Sequence, residues 1–543
     1  VLFCLIFVPS ALHAGILQDK LPEWLKLDVE YRVQTQYLHP MELGNDQVGA
    51  AHWTEQRGRI DIGFQIPKAG GVYIQLDVLD GVLFGDNGDY GVEPAPSSGL
   101  AVTSRWPNSA GWEVGLAKGG DPLQKSSYVP VLRGIEPIQI NHAWGQVILP
   151  VGVLRVGRQP YNYGAGIAAH QGTRINRWGV SRYSATADRA LFGTKLDQIF
   201  LAMMEGLDAD FDARTDRGLI LALAYDWGTQ DDIYRATDDL HQVMFGLQWL
   251  VPEANWGGAE WRDIVVAFMP VHRWNEEFET SIWAFPLRVA GSVGPVTIEA
   301  QYSVFFGGTR EISEGFAVLT SKEPQRQDLL AMGAHLRVDW DVVDFFQFTM
   351  EVDYASGDDD PRSDTPVTMF SFARDFNVGL LLFEHVLAFE SARSAALGIE
   401  NLRQLEADSF PLTEVSTQGR FTNAIALFPQ VKFQIFDKPK HKLHARLGVL
   451  FAWPAEDGGV VDAVVTALSE DGDRIDDDAV NYHGGDPGSY YGTEIDLQIQ
   501  WTWAEFFEWT VEAAVLFPGS SLENEHGHAV NAFLVENRFT FFL

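Results

Sequence analysis

Apolar and polar residues alternate one for one along most of this chain. Lys26 to Gln34 (KLDVEYRVQ) places its charges on one face and its large apolar groups on the other. Thr493 to Trp501 (TEIDLQIQW) and Phe507 to Ala513 (FEWTVEA) repeat the pattern. A period of two marks extended strands with one face in an apolar medium and the other in water. Such runs fall near 26–37, 56–66, 72–80, 137–147, 151–157, 189–200, 217–226, 240–250 and 262–271. They continue near 279–290, 295–305, 328–339, 346–355, 420–435, 442–452, 493–502, 507–517 and 531–543. Beyond residue 20 no apolar run approaches the ~18–20 residues of a membrane-spanning helix.

The connections between these runs alternate in length. Short ones fall at 67–71, 149–150, 292–294, 341–344, 437–440 and 504–505; long ones, rich in Gly, Asp, Ser and Pro, at 81–136, 158–188, 306–327, 356–418 and 453–492. Strands can cross a bilayer only as a closed barrel, because every backbone polar group must be paired in hydrocarbon. Such barrels keep tight turns on the periplasmic side and long loops outside. The pattern therefore predicts an all-β fold, a transmembrane antiparallel β-barrel of about eighteen strands (16–20), filling residues 15–543 as one domain of the bacterial outer membrane.

Both ends of the chain agree with export. Val1 to Pro9 (VLFCLIFVP) followed by Ser10 to Ala14 reads as the tail of a secretory signal peptide, residues 1–14, without its basic start. Asn537 to Leu543 (NRFTFFL) carries apolar residues at the last, third-last and fifth-last positions. That resembles the signature read by the outer-membrane barrel assembly machinery, although Leu543 stands where Phe is usual. The machinery, membrane lipid and lipopolysaccharide are the expected partners.

Composition narrows the function. With 39 Lys+Arg against 74 Asp+Glu the net charge is −35, which opposes unaided binding to nucleic acid. A hydrophobic content of 46 % with 35 Phe and 17 Trp excludes a disordered chain. The single cysteine, Cys4, excludes disulfide frameworks and Cys-based zinc sites.

Alternation assigns charges to the lumen, since a basic group at the bilayer midplane costs roughly 2–4 kcal/mol on the lipid face. The inward basic set is Lys26, Arg32, Arg57, Arg59, Arg155, Arg337, Lys432 and Arg446. Against these eight stand twelve acids: Asp28, Glu30, Asp61, Asp77, Glu299, Asp339, Glu351, Asp353, Glu494, Asp496, Glu508 and Glu512. Many of these charges are expected to pair across neighbouring strands and stiffen the wall. Tyr31, Tyr37, Trp501 and Trp509 are placed at girdle heights on the lipid side.

Three segments, Arg155-Val156-Gly157-Arg158-Gln159 with Tyr163-Gly164, Tyr354-Ala355-Ser356-Gly357-Asp358, and Gly492-Thr493-Glu494-Ile495-Asp496, resemble motifs of the alginate-export-type outer-membrane porins. That resemblance implies an eighteen-stranded barrel passing polar or anionic solutes, with arginines lining the conduit and Arg155 and Arg158 as lumen candidates. A polyuronate conduit should be lined mainly by basic groups, so the mixed wall supports the fold more than an alginate substrate.

Arg174, Arg177, Arg182 and Arg189 lie in or beside loop 158–188 and form a candidate basic mouth for anions or lipopolysaccharide phosphates, or a solvated loop. Asp358 to Asp360 and the acids of 471–478 invite a calcium reading, but lack EF-hand spacing and are read as solvated or lipopolysaccharide-bridging. Glu525-His526-Gly527-His528 shows no third ligand, so no metal or cofactor is expected. Leu380 to Leu397 (LLLFEHVLAFESARSAAL) is too apolar for an exposed loop; it is expected to pack at the barrel mouth or fold inward as a constriction, unless it forms two further strands. No G-x-S-x-G, H-E-x-x-H or Walker pattern occurs, and nothing in the sequence sets a nucleophile beside His142 or His335. The expected function is therefore a porin, passing small or oligomeric polar solutes through a charged lumen without chemistry. Export of an acidic exopolysaccharide and a non-conducting barrel displaying its loops as adhesin or receptor are the alternatives.

Overall fold

A computed structural model describes residues 21–40, 43, 50–85, 102–104, 112–114, 136–170, 172, 176–181, 185–206, 217–228, 240–310, 313, 323–358, 365–374, 376–391, 417, 419–456 and 480–543. The signal segment 1–14 with Cys4, Arg174, Arg182, Asp359, Asp360 and the acids of 471–478 lie outside the described residues.

The wall is a single antiparallel sheet. Its strands are β1 (Leu25–His39), β2 (Ala51–Ile66), β3 (Gly70–Gly85), β4 (Glu136–Leu149), β5 (Gly152–Pro160), β6 (Thr186–Lys195), β7 (Gly218–Gly228) and β8 (Leu240–Trp256). Next come β9 (Ala259–Phe268, resuming as Val271–Asn275) and β10 (Thr280–Ala284, resuming as Leu287–Val293). The remainder are β11 (Val296–Thr309), β12 (Gln327–Val343), β13 (Phe346–Ala355), β14 (Ala424–Lys438), β15 (His441–Pro454), β16 (Gly492–Trp503), β17 (Phe507–Pro518) and β18 (Ala532–Phe542). Each strand pairs with its chain neighbours, and β1 pairs with β18 from Glu30 opposite Phe542 to His39 opposite Phe533. The sheet therefore closes as an 18-strand barrel.

The two interruptions have one cause. Pro270 and Pro286 carry no backbone N–H and cannot donate to a ladder. On either side of each proline the same neighbours are kept: both parts of β9 pair with β8, and both parts of β10 pair with β9 and β11.

Every run predicted from alternation overlaps a wall strand, but 189–200 ends early. The strand stops at Lys195, and helix α1 (Leu196–Glu205) follows. LDQIFLAMME is rich in the helix formers Leu, Gln, Ala, Met and Glu, and holds no Gly or Pro before Gly206. The connection is thus long at the end where short turns were expected. The opposite departure joins β9 to β10 at the long-loop end, where the Asn275 side chain accepts the Glu277 and Phe278 N–H groups and closes a tight turn.

The outer face is an apolar band with aromatic rims. Leu223, Phe245, Val289 and Leu336 are exposed along it. Trp227 and Trp283 mark the long-loop rim, and Trp256, Trp340 and Trp503 the short-turn rim. Tyr31 and Tyr37 also point outward, as expected.

Inside, the lumen is not polar throughout. On β18 the inward residues run Thr540, Arg538, Glu536, Leu534, Ala532 from the short-turn end to the long-loop end. On β17 they run Glu508, Thr510, Glu512, Ala514, Leu516. The apolar ends of β14, β15, β17, β18, β1 and β2 join residues 370–372 and 378–389 in one core holding Trp53, Phe428, Leu450, Leu516, Phe372, Leu381 and Phe383. The barrel wall and the loop between β13 and β14 thus share a globular-type core within the lumen.

Candidate functional site

The expectation for Leu380–Leu397 resolves toward an inward fold over its described part. Leu382–Leu387 forms a short π-helical stretch in which every residue is buried. Its approach is fastened by Glu494 of β16, whose carboxylate oxygens accept the N–H groups of Leu380, Leu381 and Leu382 at 2.7, 2.8 and 2.7 Å. A carboxylate suits the unpaired N–H groups that open a helix. Gly379, at φ +76°, makes the turn, and a Cβ there would stand 2.9 Å from Glu494 Oε1.

The loop after β5 also folds inward. Tyr163 Oη donates to the carbonyls of Ala267 at 3.0 Å and Pro286 at 2.9 Å, beside the two strand interruptions. Burial pushes the His170 imidazole down to about 4; it stays neutral and its Nδ1 accepts the Gly172 N–H at 3.1 Å. Residues 177–179 then run between distant parts of the wall. Arg177 donates to both oxygens of Asp339 at 2.6 Å and to Thr349 at 2.8 Å, on β12 and β13. Trp178 Nε1 donates to Gln430 Oε1 of β14 at 3.2 Å, and the Gly179 N–H reaches Glu512 of β17 at 2.9 Å. The Arg177 carbonyl accepts from Arg446 of β15 and from Gln498 of β16. The two inward loops are also bonded to each other, Ala373 N–H to Ile167 O at 2.8 Å and Asn377 Nδ2 to Trp178 O at 3.2 Å.

Below this crossing, at the short-turn end, lies a cavity of about 460 Å³. Arg32, Arg57, Arg177, Lys440, Lys442, Arg446 and Arg538 line it, with His444, against Glu30, Glu505 and Glu508. Among the described residues, seven Lys or Arg side chains against three Glu is a local excess opposite in sign to the whole chain. Glu30 reaches Arg57 at 3.4 Å, while Arg538 is held by Glu512 at 2.9 Å. Arg446 has no carboxylate partner among the described residues; its guanidinium also lies 5.5 Å from the Trp178 ring centre.

The structure sorts the predicted solute-path residues into groups. Arg32, Arg57 and Arg446 meet at the cavity. Arg59, Arg155 and Arg337 point inward but serve the wall: Arg59 pairs with Asp77 through contacts of 2.7 and 2.8 Å. Arg155 donates to Gln146 and lies 4.5 Å over Trp144. Arg337 bridges Glu299 and Asp339. Glu494 fastens a loop; Asp496 is buried beside it, and Glu351 and Asp353 are buried beside His335. Arg158 is a correction. It points outward and pairs with Asp188 in an exposed ion pair of 2.8 Å, because an odd separation from inward Arg155 places it on the opposite face.

The basic mouth is also redrawn. Arg177 sits within the lumen at the loop crossing. Arg189 lies in the β6 wall with its Nε and Nη2 donating to the two oxygens of Asp226, at 2.6 and 2.7 Å. Among the acidic segments, Asp358 accepts the Thr368 N–H at 3.0 Å. Glu525, His526 and His528 form a turn in which the Asn524 side chain accepts two backbone N–H groups. Sequence reasoning missed Arg538, Lys440, Lys442, His444 and Trp178. For Arg538 the signal was present: it shares inward parity with Glu536 and Thr540.

No protein-family model matches the chain, and no curated protein matches it. Among solved structures, Pseudomonas aeruginosa OccK11 (OpdR) is similar at 10 % identity and a TM-score of 0.44, covering 99 % of each chain. Pseudomonas aeruginosa OccK2 (OpdF) follows at 9 % and 0.44, covering 96 % of this chain and 97 % of that one. The outer-membrane channel DcaP of Acinetobacter baumannii is similar at 9 % and 0.36, again over 96 % and 97 %. These comparisons do not bear out the alginate-export-type resemblance; the barrel assignment rests on the wall's own pairing.

Proposed function

We propose that the chain is a passive outer-membrane channel whose preferred solutes are small, polar and anionic. The carrying observation is the 460 Å³ cavity, with seven Lys or Arg side chains and three Glu beneath the loop crossing, in a chain of net charge −35. A basic cavity with low-dielectric walls concentrates anions and sets selectivity at its narrowest point. The apolar band between aromatic rims fits a bilayer, and the alternation of connections puts the cavity on the periplasmic side. The two inward loops interrupt the bore, which favours small solutes over a threaded acidic exopolysaccharide. Their docking inside the barrel likewise weighs against a role in outward display.

Planar-bilayer recording of the refolded barrel under a salt gradient tests this reading. Open channels with a reversal potential on the anion side are expected. Cation selectivity would overturn the anionic preference, and a barrel that inserts without conducting would overturn the channel and favour display.

A further inference from the structure

Three donor side chains outside the cavity converge where β12 and β13 pair. His335 stands opposite Asp353 in the register, and Glu351 lies two positions along β13 on the same inward face. One donor atom from each lies within 4.8 Å of the other two, and all three residues are buried. His335 Nδ1 is 2.7 Å from Asp353 Oδ1. Asp353 is 0 % exposed, yet its Oδ2, on the carboxylate that meets Glu351, has no hydrogen-bond donor. The nearby arginines are committed elsewhere: Arg288 and Arg337 to Glu299, Arg177 to Asp339. Two carboxylates brought together in a dry site must either share a proton or hold a compensating cation.

We propose that His335, Glu351 and Asp353 bind one divalent transition-metal cation of the Zn2+ type. An imidazole nitrogen among carboxylates suits a borderline ion, whereas Ca2+ and Mg2+ prefer oxygen alone. Tetrahedral bonds of about 2.0–2.2 Å set donor atoms roughly 3.3 Å apart, so His335 and Asp353 need open only slightly from their present contact. The groups behind the donors reach both inward loops. Glu351 Oε2 accepts from Gln430 Nε2 at 3.0 Å, and Gln430 Oε1 accepts from Trp178 at 3.2 Å. The His335 ring meets Phe376 edge-on with centres 5.1 Å apart. Partners of this kind orient a ligand and tune its ion, so the bound cation would brace the crossing.

The test uses the whole refolded barrel, stripped with chelator and dialysed to equilibrium against Zn2+. One tightly held ion per chain is expected, with at least tenfold weaker binding in His335→Gln and in Glu351→Gln. Heat-modifiable electrophoresis checks that each variant is folded. Should neither variant fold, Co2+ added to the unaltered barrel gives an independent reading, a visible absorption band distinct from that of the hydrated ion. Absence of stoichiometric Zn2+, unchanged affinity in folded His335→Gln, or a hydrated-ion spectrum from Co2+ would each overturn the proposal in favour of a shared proton.

Discussion

At the long-loop end, β14, β15, β17 and β18 turn Phe428, Leu450, Leu516 and Leu534 into the lumen, where residues 370–372 and 378–389 cover them. At the short-turn end β15 and β18 turn Lys442, Arg446 and Arg538 inward around an open, charged cavity. The same strands thus serve two solvents in succession on one face, while their other face meets lipid throughout. The difference teaches that the lumen of this barrel divides its labour by height. A packed, apolar level fixes the loops, and an open, basic level lies below it. Segment 177–179 forms the boundary, tied to Asp339, Gln430 and Glu512 around the wall.

The comparison breaks most severely if the packed level is emptied. Deleting 376–391 should raise single-channel conductance several-fold, and an unchanged conductance would show that these residues do not constrict the path. A smaller disturbance comes from Glu494→Ala, which leaves three buried N–H groups without an acceptor. The cost is about 3 kcal/mol or more, seen as a lower unfolding temperature together with frequent openings in bilayer records. Charge changes in the open level should leave stability nearly intact and move selectivity instead. Arg446→Gln with Lys442→Gln is expected to shift the reversal potential toward the cation side, with only a small fall in unfolding temperature where Arg446 gives up its bond to the Arg177 carbonyl. The least effect belongs to Arg158→Ala. An exposed pair contributes roughly 0–1 kcal/mol, and its outward position predicts unchanged selectivity; a shift comparable to that of Arg446→Gln would return Arg158 to the solute path.

Much of this was legible in the chain because lipid enforces alternation. Each strand whose neighbours are solvent on one side and hydrocarbon on the other announced itself, including those interrupted at Pro270 and Pro286. The packed level was legible too, but in a form easily passed over. AIALF at 424–428, LGVLF at 447–451, AAVLF at 513–517 and AFLV at 532–535 lose their alternation toward the long-loop end, as strands buried on both faces must. Parity was enough to separate Arg158 from Arg155, which the motif resemblance had put together in the lumen, and enough to place the overlooked Arg538 beside Glu536 on the inner face. What no local pattern carries is the meeting of side chains across the lumen. Trp178 finds Gln430, and Glu494 finds Leu380, only because closure brings distant strands and loops together. The group of His335, Glu351 and Asp353 depends on the register of β12 against β13, which alternation leaves open by whole steps of two residues.

The packed level also sets an order of events in the making of the barrel. Leu38 and Trp53 near the start of the wall share one apolar cluster with Leu516 and Leu534 near its end, on either side of the seam where β1 meets β18. The loop residues that complete this cluster are held by Glu494, more than a hundred positions further along the chain. They therefore have no receptor until β16 to β18 and β1 to β2 have come together. Contacts of such long sequence separation form late. Sealing the seam and drying the cluster then become a single cooperative step, so a chain that stalls short of β16 exposes a sticky loop as well as an open edge.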